Sequence, residues 1–162
     1  MGGCVEKSCF AGSAADRAVL REDFADGLDC FQNNDYAGAL VHFRAADEDA
    51  DISDVLQSRY TSFHGLSRVC LGDSSGIKLC RKAAAGEAQD AEVYHNLALA
   101  ERRLNNREGA VTALRRGLYL DPEHTGLRQL KQGITLRGPR ISVPGVSYAH
   151  SLSRLLGKLF GG

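Results

Sequence analysis

Long apolar runs are missing from this sequence. No stretch approaches the roughly 18 consecutive apolar residues that a membrane-spanning helix requires, so a spanning segment is not expected. A C-x-x-C pair is missing too. The histidines His42, His64, His95, His124 and His150 are scattered, with no two at i, i+4. Zinc sites readable from sequence need ligands at such short spacings, so neither a metal nor any other cofactor is expected. No glycine-rich phosphate loop is present, because neither Gly2-Gly3 nor Gly161-Gly162 follows a strand. No local signature pairs a cysteine with a histidine as nucleophile and base, and the chain reads as a non-enzyme. The opening MGGCVEKSCFAG has no apolar run and no basic lead-in, so a secretory signal is not expected. In Met1-Gly2-Gly3-Cys4 the acylation pattern fails at Glu6, where Ser or Thr is wanted. The cysteines number five, an odd count that points to a reducing compartment and a cytoplasmic location.

The 162 residues have the composition of one ordinary globular domain, with 43% hydrophobic and 25% charged residues. The zero net charge hides an asymmetry. Residues 1–98 carry 9 Lys/Arg against 16 Asp/Glu, and residues 99–162 carry 11 against 4. Such a chain is electrically dipolar and can present different partners with different ends.

Helical periodicity runs through most of the length. Residues 1–13 lack it and read as a flexible arm. Ala18, Leu20, Phe24, Leu28 and Phe31 mark a helix from Ala14 to Asn33. Asp35 caps a second helix bearing Tyr36, Ala39, Leu40, Phe43 and Ala46. The acidic run 47–51 reads as a solvated loop. Val55, Leu56, Tyr60, Phe63, Leu66 and Val69 fill a third helix. Asp73-Ser74-Ser75-Gly76 has turn chemistry before a fourth with Ile77, Leu79, Cys80 and Ala84. Cys30, Cys70 and Cys80 fall in these patterns and read as small packing residues. Asp90 opens a helix with Val93, Tyr94, Leu97, Ala98 and Leu104, and Ala110, Val111, Leu114 and Leu118 mark the next. Asp121-Pro122 starts a last, one-sided helix with Leu127, Leu130 and Ile134. Residues 14–135 thus form the expected domain, residues 136–148 a Pro/Gly linker, and residues 149–162 an amphipathic tail carrying Leu152, Leu155, Leu156 and Leu159.

A two-helix unit recurs along this domain. Ala39, Ile77 and Ala110 stand at the same place in three second helices, 38 and 33 residues apart. In the first unit Gly27 is followed by Ala39-x3-Phe43 and Ala46. In the third, Asn96-Leu97-Ala98 is followed by Ala110-x3-Leu114, Gly117 and Leu120-Asp121-Pro122. These residues resemble the tetratricopeptide (TPR) family. The middle unit keeps Gly65 but has Ile77 for the usual Ala and Arg81 for the usual aromatic. The resemblance covers about residues 20–134. It implies an all-α fold: an α-solenoid of three TPR-like helix-turn-helix repeats, a capping helix, and beyond it a short C-terminal amphipathic helix.

The resemblance also implies a function. First helices of TPR-like proteins line a concave groove that holds a partner's protein or peptide segment. At matching positions the groove would show Phe24, Leu28 and Phe31, then Arg59, Ser62 and Leu66, then His95, Leu99, Arg102 and Arg103, with Arg21, Val69 and Glu92 beside them. Phe24, Leu28 and Phe31 share one helix side and form a candidate hot spot. A carboxylate-clamping groove is disfavoured, since Phe24, Leu28, Glu92 and Asn96 stand where that subclass has Lys, Asn, Lys and Arg. The chain therefore reads as an adaptor or scaffold. The alternatives are a secretion-type chaperone holding a hydrophobic client segment, or a peripheral membrane protein using its tail. The tail is short and weakly basic for a membrane anchor, and its Leu stripe suits packing on the domain or self-association. The basic cluster Arg102, Arg103, Arg107, Arg115 and Arg116 has no interleaved aromatics, so nucleic acid is not expected as a partner.

Overall fold

The computed structural model describes residues 21–136, residues 52 and 87 excepted. The N-terminal arm, positions 14–20 of the first expected helix, positions 137–148 of the expected linker and the Leu152–Leu159 tail lie outside the described residues. Among the described residues all regular structure is helical. The order is α1 (Glu22–Gln32), α2 (Tyr36–Asp49), α3 (Gln57–Cys70), α4 (Ile77–Ala85), α5 (Ala91–Arg103), α6 (Arg107–Leu120) and α7 (Thr125–Leu136). A 3-10 turn, Ser74–Gly76, leads into α4.

Three tight turns with the same chemistry join α1 to α2, α3 to α4 and α5 to α6. Each has one residue in the left-handed region: Asn34 at φ 62°, Gly72 at φ 90° and Asn105 at φ 60°. Asn and Gly are the residues that occupy that region at least cost. The next residue turns its side chain onto the following backbone. Asp35 accepts from the Gly38 amide at 2.9 Å, Asp73 from the Ser75 amide at 2.9 Å and Asn106 from the Gly109 amide at 3.1 Å. Ala39, Ile77 and Ala110 follow four residues after each of these caps, all buried. Hairpins closed alike hold their helices antiparallel, and α1 lies on α2, α3 on α4 and α5 on α6.

The pairs then stack. α2 packs on α3, α4 on α5 and α6 on α7, while α3 also packs on α5. Phe24, Phe43, Tyr60 and Phe63 meet at the first seam, with ring centroids 4.8–5.3 Å apart, geometry that adds to simple area burial. Leu66, Val69, Ile77, Cys80 and Ala100 fill the second. Burial pushes the Cys80 thiol up to about 12, so it acts as a small apolar group. At the last seam Leu127 and Leu130 of α7 are buried, and Leu127 sits where a Cβ on Gly117 would come within 2.6 Å of it.

Two sequence expectations are corrected. The run 47–51 is not simply a solvated loop, because α2 continues through Asp49 and Asp47 is turned inward. Val55 is not a core residue of the third helix. It precedes α3 in a turn and is 76% exposed, while Leu56 beside it is buried. The Asp54 carboxylate accepts the Leu56 amide at 2.8 Å and sets that turn. The odd Arg81 is also explained. It leaves the seam and reaches the buried Glu101 of α5, Nε to Oε1 2.8 Å.

At Gly65 backbone atoms of the neighbouring helix leave no room for a side chain. A Cβ there would lie 2.7 Å from the Gly76 carbonyl oxygen and 2.9 Å from the Cys80 amide nitrogen. Gly65→Ala is expected to destabilise the fold by about 1–3 kcal/mol. Gly86→Ala, where a Cβ meets nothing within 4 Å and φ is −75°, should be neutral or stabilising by up to about 1 kcal/mol. Urea denaturation of the two variants checks this. Equal stability of the two would mean that α3 and α4 are not in close contact.

Candidate functional site

The ten groove positions fall into three groups. Phe24, Ser62 and Leu66 are interior residues, at 1%, 0% and 1% exposure. They are corrected from groove-lining to core. The reason lies in stacking: a residue on that side of a first helix faces the next pair as well as its own partner helix. Phe24 therefore meets Tyr60 and Phe63 of α3, and Ser62 Oγ accepts from Asn96 Nδ2 of α5 at 3.0 Å. Leu28, Phe31, Arg59, His95 and Leu99 are half-buried. Of these, Arg59 is engaged by Asp90 in a two-pronged ion pair, Nε to Oδ2 2.6 Å and Nη2 to Oδ1 3.1 Å. Arg102 and Arg103 are exposed.

What remains open is a strip at one end of the stacked first helices. Phe31 of α1, Cys70 of α3 and Leu99 of α5 each pack on the buried cluster around Leu66 and Val69. Phe31 stacks edge-on against Tyr36, centroids 5.2 Å apart. The Arg103 guanidinium lies over the Tyr36 ring, 5.6 Å from its centroid, a cation–π distance. A separate cavity of about 170 Å³ is lined by Arg102, Asn105, Arg107, Ala110, Gly133 and Ile134, where α5, α6 and α7 meet. The strip thus offers apolar surface next to fixed positive charge.

Two carboxylates with histidine partners sit at helix junctions. Asp47 of α2 bonds His64 Nδ1 at 2.8 Å, Gln57 Nε2 at 2.9 Å and the Thr61 hydroxyl, all on α3. Burial alone would raise the Asp47 pKa, but the His64 and Thr61 hydrogen bonds outweigh it and hold the carboxyl below its usual value. Glu92 of α5 meets His95 Nδ1 at 3.2 Å and His124 Nε2 at 3.0 Å. Burial opposes its ionisation, yet the bonds to His124 and His95 bring it down to about 2. His124 is shifted upward, first by its bond to Glu92. It also precedes α7 as the capping residue, where its Nδ1 accepts the Leu127 amide at 3.2 Å. That bond needs a free lone pair on Nδ1, which leaves the proton on Nε2 facing Glu92.

Tyr36 and His124 escaped the sequence reading as site residues. Tyr36 was legible only as part of a core stripe. His124 lies 32 residues from Glu92, and no local spacing connects them. The Glu92-x-x-His95 pair, one helical turn apart, was the single local signal available. No protein-family model matches the chain, and no curated protein matches it either.

Two outcomes test this placement. Phe24→Ala should cost about 3–5 kcal/mol of stability in chemical denaturation, and a loss below about 0.5 kcal/mol would return Phe24 to the surface. Asp47 is depressed in the folded state, so its contribution is present above its ordinary value of 3.8 and lost as pH falls through the folded value. The melting-temperature gap between wild type and Asp47→Asn should therefore be widest well above pH 3.8 and narrow below it. A gap that is constant across this range would mean Asp47 is not held by His64 and Thr61.

Proposed function

We propose that the chain is a tetratricopeptide-like solenoid that works as a protein-interaction module, with its contact surface at the Phe31–Tyr36–Leu99–Arg103 strip. The observation that carries this reading is the convergence of half-buried residues from three first helices on one buried cluster. Phe31, Cys70 and Leu99 pack on the cluster around Leu66 and Val69, and Phe31 adjoins the Tyr36 ring, over which the exposed Arg103 lies. Interface centres favour aromatic and Arg residues that are already held in place, and Arg103 is held on Tyr36. The chemistry of the strip suits a segment with an apolar residue followed by acidic ones. The internal groove positions, by contrast, are used in stacking and do not enter the proposed surface. The role proposed is that of a cytoplasmic adaptor or scaffold.

The test is capture from native lysate by immobilised full-length protein, with partners identified by mass spectrometry. Arg102→Glu with Arg103→Glu should remove most of the captured set while leaving helix content and melting temperature nearly unchanged, because both side chains are exposed. Capture by wild type should also weaken as salt rises. If the double variant captures the same partners, the strip is not the contact surface.

A further inference from the structure

We propose that Glu92, His95 and His124 form a binding site for one first-row divalent metal ion, zinc above all. One ligand atom from each of the three lies within 4.8 Å of the others. The carboxylate stands 3.2 Å from His95 Nδ1 and 3.0 Å from His124 Nε2. Two ligands each about 2.0–2.1 Å from a tetrahedral zinc stand roughly 3.3–3.4 Å apart. His95 Nδ1 faces Oε1 and His124 Nε2 faces Oε2, so an ion held by both imidazoles meets the carboxylate after a side-chain adjustment that brings the three ligand atoms, now within 4.8 Å, to coordination spacing. Two imidazoles and a carboxylate are a donor set that zinc takes readily, with the remaining position left to water or a fourth ligand.

The supports of the site are rigid. Glu92 and His95 project from the first turns of α5, and His124 is fixed at the start of α7. The side chains are 12%, 18% and 16% exposed, shielded yet within reach of solvent. Asp90 and Asp121 add negative charge beside His124, which favours a cation there. Gly126 makes room for the His95 ring, since a Cβ at that position would lie 2.7 Å from its Cε1 and Nε2.

Binding has a defined chemical consequence at His124. Without metal, the Nε2 proton points at Glu92 and Nδ1 accepts the Leu127 amide. The ion takes the Nε2 lone pair, the proton relocates to Nδ1, and the Leu127 amide loses its acceptor. The first turn of α7 thus exchanges a capping hydrogen bond for a metal bridge to α5.

Full-length, chelator-stripped protein titrated with zinc or cobalt(II) alone tests this. The expected result is one ion per chain, a raised melting temperature, and a cobalt spectrum without a thiolate charge-transfer band. The side-chain NMR signals of His95 and His124 should shift, those of His64 should not, and the Leu127 amide should exchange faster. His95→Gln and His124→Gln should each weaken binding by about tenfold or more, whereas His64→Gln should not. The NMR arm stands even if a variant fails to fold. Absence of stoichiometric binding, a thiolate band, or histidine signals that stay in place would each overturn the proposal.

Discussion

The backbone-to-backbone approach of α3 and α4 at Gly65 and Gly76 is the constraint from which the rest of this structure follows. With no side chain on either glycine, the two helices come close enough for a Cβ at either position to fall under 3 Å from backbone of the other. At that distance one crossing geometry is allowed and neighbouring ones clash. The flanking pairs meet the same requirement with different atoms. In α1, Gly27 lies beneath the Phe43 ring, and in α5 the equivalent Ala98 is fully buried. Once the pair angles are set, the outer faces of the pairs match one another, and the aromatic cluster at the first seam and the Leu127 insertion at the last can form.

Acidic side chains fasten these seams. Asp47 joins α2 to α3, Asp90 joins the start of α5 to Arg59 on α3, Glu101 joins α5 to Arg81 on α4, and Glu92 joins α5 to His124 before α7. Asp90 at once caps its helix through the Glu92 amide and pairs with Arg59. Removing water from such charges is costly and offsets much of the attraction within each pair. Their pattern also gives the charge asymmetry of the chain a structural meaning. Part of the acidic excess before residue 99 is used inside the stack, whereas Arg102, Arg103, Arg115 and Arg116 stay exposed.

Stacking and surface therefore compete for the same side of each first helix. Where two neighbouring pairs close over it, as at Phe24, Ser62 and Leu66, the residue becomes core. Where the stack ends, as at Phe31, Leu99 and Arg103, it stays partly open. A bound ion at Glu92 and an occupied strip at Tyr36 would act at opposite ends of α5, one near its first turn and the other near its last.

The sequence by itself determined the helices, their turns and much of the core. Asn34 and Asn105, Asp35 and Asn106, and the periodic Ala39, Phe43, Ala110 and Leu114 act through neighbours within a few residues, so their effect is written locally. Even the middle pair was legible from Gly65 and Asp73 despite its altered second helix. Tertiary structure decided which apolar residues are covered, because periodicity gives the face of a helix but not the number of neighbours that face will meet. For the same reason Phe24 looked like a groove residue and Asp47 like a loop residue. It also decided that His124 meets Glu92 and that Arg103 meets Tyr36. Such contacts join residues tens of positions apart through the stacking angle of whole helix pairs, and no spacing along the chain records that angle.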